Sequence, residues 1–94
     1  MRIIGYIEHP ILKITIFQME GKFTVKLESG LFEQAYKFRA GAAISGAEDI
    51  RKLVDEGFIA AVLEEMNRMG RIRSQALERF SPPGGEEEEF EEII

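Results

Sequence analysis

Few residues in this chain are of types and spacings that could do chemistry. Gly41 and Gly46 have the separation of the two glycines in a phosphate-binding loop, and they lie between an expected strand and an expected helix. That loop continues with lysine and then serine or threonine, because the lysine must reach the phosphates; here Ala47 and Glu48 follow, and a carboxylate at that place repels them. A hinge-like linker is the expectation. His9 is the only histidine and sits beside Pro10, where a polar side chain ordinarily serves a turn. Ser29, Ser45, Ser74 and Ser81 have no nucleophile-elbow context, and His9 is the only base of the histidine type. Glu64-Glu65 is a carboxylate pair on an expected helix face, where charges are ordinarily solvated. Cysteine is absent, which excludes thiolate nucleophiles, zinc fingers, iron–sulfur ligation and disulfides. No catalytic residue, metal ligand or cofactor site is assigned, and a non-enzymatic role is expected.

A different surface is more informative. Lys22 to Glu28 alternates Phe23, Val25 and Leu27 with Lys22, Thr24, Lys26 and Glu28, a period of two with one apolar face. Upstream, Leu12, Ile14 and Ile16 share a face opposite Ile11, Lys13, Thr15 and Phe17. Downstream, Phe32, Tyr36 and Phe38 oppose Glu33, Lys37 and Arg39. If the apolar sets turn inward, Lys13, Phe17, Lys26, Lys37 and Arg39 share an outer face. Cations around an exposed aromatic are the kind of platform on which single-stranded nucleic acid stacks. An ordinary solvated sheet face presents the same lysines and threonines, and Glu28 and Glu33 lie on that face too.

The elements that position these residues follow from the same patterning. Arg2 to Glu8 is a fourth candidate strand, closed by His9-Pro10. Glu20-Gly21 and Ser29-Gly30 are tight-turn signals, so the strands form an antiparallel meander of three to four. Residues 40–46 read as a flexible connection. Ser45 and Glu48 have capping-box spacing, so a helix is expected from Ala47. Ile50, Leu53 and Val54 form one stripe; Phe58, Val62, Met66, Met69, Ala76 and Phe80 form a second, rotated by about a third of a turn at roughly 100° per residue. With Gly57 between the stripes and Asp55 able to cap a new start, a short helix and then a long one are expected. Ile59, Leu63 and Leu77 widen the second stripe. Ile59, Leu63, Met66 and Leu77 are therefore candidate contacts to a second chain, as in a homodimer.

The fold class is α+β: the meander, the two helices, and a disordered acidic tail, with one domain over residues 1–80 and a Pro/Gly linker and tail over 81–94. Four strands followed by helix resembles, in topology, the repeat unit of the PUR-alpha and Whirly single-strand-binding proteins. That resemblance implies nucleic-acid binding on the sheet.

The net charge of −5 divides unevenly. Six glutamates follow Gly85 with no base among them, which leaves eleven acids against twelve bases, a body of +1. A second basic group, Arg68, Arg71, Arg73 and Arg79, lies late in the long helix, where cations suit the negative helix end. The tail is expected either to solubilise or to fold back on basic surface and compete with an anionic partner. Its acids closing on apolar residues (Phe90, Ile93, Ile94) resemble the partner-docking tip of bacterial single-stranded-DNA-binding proteins. No apolar run of about 20 residues exists to span a membrane, the N-terminus lacks a signal-peptide pattern, and cysteine-free composition favours the cytoplasm. The expected function is a small non-enzymatic binding protein, with a protein partner or a second copy of itself. Single-stranded nucleic-acid binding, regulated by the tail, is the alternative.

Overall fold

The computed structural model describes residues 1–80; the linker and acidic tail expected over 81–94 lie outside them. Strands β1 (Arg2–Ile7), β2 (Lys13–Met19), β3 (Lys22–Ser29) and β4 (Phe32–Arg39) precede helices α1 (Ala47–Leu53) and α2 (Glu56–Phe80). The strands pair in chain order, each antiparallel to the next. The chain is thus an α+β meander capped by a short and a long helix.

Turn chemistry sets the register. Met19 pairs with Lys22 across Glu20-Gly21, and Ser29 pairs with Phe32 across Gly30-Leu31. Gly21 and Gly30 hold φ of 69° and 60°, where a Cβ would clash with the backbone. With register fixed, strand alternation sends Ile14, Ile16, Phe23, Val25 and Leu27 to one face, each 1% exposed or less. Ile50 and Val54 close over them from the α1 region, and Val62 and Met66 from α2. Each such side chain contributes about 1.5–3 kcal/mol of burial.

The inner face of β4 carries one polar residue, Gln34, and it serves as a clasp. Its Nε2 donates to the Val62 carbonyl of α2 at 3.0 Å, while its Oε1 accepts from the Tyr36 hydroxyl. The Tyr36 ring meets Phe58 edge-on, centroids 5.2 Å apart at 72°. Helix and edge strand are therefore joined by both polar and aromatic contacts.

One local expectation is corrected, and the expected helix break and the connection before α1 are located more closely. Ser45 does not cap α1 through a box with Glu48. Gly46 is the N-cap and has no side-chain bond, and Asp49 instead reaches back to the Ser45 amide at 2.9 Å and hydroxyl at 3.1 Å. Asp49 stands one position beyond Glu48, where its shorter side chain reaches the residue before the cap. The break between helices falls at Val54-Asp55, and Gly57 lies inside the first turn of α2. Asp55 does begin that helix, accepting from the Phe58 amide at 2.9 Å. Residues 40–46 are also tied more firmly than a free connection: Gly41 donates to the Ile44 carbonyl at 2.9 Å, and Ile44 packs against the core.

Helix α2 outruns the sheet. Its 25 residues span about 37 Å at 1.5 Å per residue, whereas an eight-residue strand spans about 26 Å. The longest dimension of the described residues is 56 Å, against 26 and 21 Å for the others. Val62 and Met66 are buried on the sheet, while Ile72 and Phe80 are 57% and 77% exposed. The last third of α2 is an overhang.

Candidate functional site

Both helices cover the inner sheet face, so among the described residues the outer face is open. Cross-strand register arranges it in rows. One row runs Met19, Lys22, Arg39. The next is Ile3, Phe17, Thr24, Lys37, and a third is Tyr6, Thr15, Lys26, Ala35. Lys13, Glu28 and Glu33 form the last. The face therefore has an apolar side on β1 and β2 and a cationic side on β3 and β4. Five bases oppose two acids, a local charge of +3, and the acids sit together at one end.

All five residues assigned from alternation, Lys13, Phe17, Lys26, Lys37 and Arg39, lie on this face, but they are not equivalent. Lys13, Lys37 and Arg39 are exposed, whereas Phe17 and Lys26 are half-buried and engage each other. The Lys26 ammonium stands 5.6 Å from the Phe17 ring centroid and 4.0 Å from Glu28 Oε2. A base stacking on Phe17 would have to displace this cation. Thr15 and Thr24, although on the open face, are 3% and 9% exposed.

Alternation alone missed Ile3 and Tyr6, which are 50% and 55% exposed beside Phe17 and Thr15. Strict alternation from Ile3 would put Gly5 and Ile7 on its own face and Tyr6 opposite. A bulge between Ile3 and Gly5 inserts Ile4, so Ile3 and Tyr6 share the outer face while Gly5 and Ile7 turn inward. Gly5 was the available signal, since an isolated glycine inside a strand marks a bulge or a close approach. It marks both here. A Cβ at Gly5 would come within 2.8 Å of Arg51 Nη2, the guanidinium nitrogen that donates to the Tyr6 carbonyl at 3.4 Å. Met19, 46% exposed, completes the apolar side.

Elsewhere, His9 accepts through Nδ1 from the Ile11 and Leu12 amides at 3.1 and 3.2 Å, holding the turn between β1 and β2. Glu65 of the carboxylate pair accepts from Arg68 Nε at 3.2 Å on the surface. Among the described residues no three His, Asp or Glu side chains gather closely enough to hold a metal ion, and no helix is long and apolar enough to cross a membrane. Of the four candidate contacts to a second chain, Met66 is part of the core, Ile59 and Leu63 pack against it, and Leu77 lies half-exposed on the overhang. No family model matches this chain, and neither a curated protein nor a solved structure is significantly similar to it.

Proposed function

We propose that this domain is a non-enzymatic interaction module whose outer sheet face receives a protein segment carrying both acidic and apolar side chains. The carrying observation is the division of that face: Ile3, Tyr6 and Met19 exposed on one side, Lys22, Lys37 and Arg39 on the other. Apolar side chains left open on a small domain favour a partner that covers them, and the adjoining cations select one bearing carboxylates. A homodimer is the case in which the partner is a second copy. Through α2 it would use Leu77 and the half-exposed flanks of Ile59 and Leu63, because Met66 is already committed.

Single-stranded nucleic acid is a second reading, favoured by the exposed Tyr6 ring beside that cationic side. One titration separates the two. The full chain is mixed, at low and high salt, with short single-stranded DNA and RNA and with a peptide of interleaved glutamate and leucine. The interaction reading expects peptide binding that is lost in Tyr6→Ser and weakened in the double variant Lys37→Glu, Arg39→Glu. Binding of oligonucleotide that falls steeply with salt, without peptide binding, would instead establish the nucleic-acid reading. Binding of neither would remove the outer face as a recognition surface.

A further inference from the structure

Among the described residues, the α2 overhang carries a second uncovered surface. At about 100° per residue, Met69, Ile72, Ala76 and Phe80 fall within roughly 80° of one another, continuing the stripe that Phe58 and Val62 press onto the sheet. On the sheet that stripe is buried; past it, Ile72 and Phe80 stand open. Arg73 borders that arc, about 20° beyond Phe80, whereas Glu78, the single acid between Met69 and Phe80, falls on the opposite side of the helix.

Arg73 decides what can cover the stripe. Packing two overhangs together would bury Arg73 against its own copy or against apolar side chains, with Glu78 turned away, and an uncompensated buried charge costs several kcal/mol. The occupant must bring carboxylates among its apolar groups. One such segment is tethered to this helix. After five residues beyond Phe80, the chain runs Glu86 to Glu89, Phe90, Glu91, Glu92, Ile93, Ile94. Its six acids are complementary in charge to an overhang on which Arg71, Arg73 and Arg79 outnumber Glu78. Nine residues reach up to about 30 Å, against the roughly 16 Å from Met69 to Phe80 at the helical rise. A short tether holds the two at an effective concentration on the order of millimolar, so weak contacts suffice.

We propose that the overhang of α2 is a docking site for the acidic C-terminal segment Glu86–Ile94 of the same chain, with its carboxylates on Arg73 and Arg79 and its apolar residues on Ile72 and Phe80. The test is hydrogen exchange on the full chain, comparing the natural sequence with the triple variant Phe90→Ser, Ile93→Ser, Ile94→Ser and, separately, with Arg73→Glu. Docking predicts that amides of 70–80 exchange about tenfold faster in either variant, while amides of β2 and β3 are unchanged. High salt should speed the same amides in the natural chain. Identical exchange of 70–80 in all three proteins would overturn the proposal. So would a dimer by sedimentation whose dissociation follows Ile72→Asp but not the tail variant, since a second copy would then be the occupant. The outer-face reading is unaffected by either result, because its variants lie at Tyr6, Lys37 and Arg39.

Discussion

Asp49 accepts hydrogen bonds from both the amide and the hydroxyl of Ser45, and these bonds, aided by the nearby Lys52 charge, hold its carboxyl below the ordinary aspartate range. A folded-state value below the unfolded one means the group contributes stability that is complete above the unfolded value. That stability is lost as pH falls through it toward the folded one. Thermal melts between about pH 5 and pH 2 should therefore show part of the acid destabilisation arising at Asp49. Asp49→Asn keeps an acceptor for Ser45 but cannot titrate, so its melting temperature should fall less steeply over that range; an unchanged slope would remove Asp49 from the acid response. The residue scale was only partly legible in the sequence. Acids in the first turn of α1, Glu48 and Asp49, suit the positive end of the helix dipole, but which one reaches Ser45 depends on where the cap falls, and Gly46 took that place.

At the scale of elements, the two hairpins were legible because glycine at a tight turn has a local cause that tertiary packing cannot override. Gly21→Ala and Gly30→Ala should each cost about 1–2 kcal/mol, since both force a Cβ into a left-handed backbone. Gly41→Ala, at a residue outside that region with open space at its Cβ, should be neutral or slightly stabilising. Urea melts of the three variants measure the contrast directly, and an equal loss in all three would show that the turns do not set the register. Strand β1 was less legible for the opposite reason. Its bulge is a property of pairing with β2, so the sidedness of Ile3 and Tyr6 exists only once the partner is in place. Lys26 belongs with it: alternation places the residue on the open face, but its engagement with Phe17 is a diagonal cross-strand contact.

At the scale of the whole molecule, α2 performs two tasks with one stripe. Its first two thirds complete the core and its last third completes nothing in the described fold, although the apolar spacing continues unchanged across the boundary. Periodicity reports which side of a helix is apolar, not where the sheet beneath it ends, and so the breadth of the stripe could suggest a second chain without locating uncovered surface. The division has a measurable consequence. Val62→Ala removes two methyl groups from a site 2% exposed and should cost about 1–3 kcal/mol. Ile72→Asp and Phe80→Asp place charge on helix surface that the described residues leave open: each should shift stability by no more than about 0.5 kcal/mol if nothing covers the overhang. If the C-terminal segment docks there, the shift should be about 1.4 kcal/mol, the equivalent of the tenfold change in exchange. Denaturant unfolding of the full chain gives both numbers. If Ile72→Asp proves as costly as Val62→Ala, the overhang is covered by contacts that stabilise the fold, and the hydrogen-exchange comparison then identifies whether the C-terminal segment makes them.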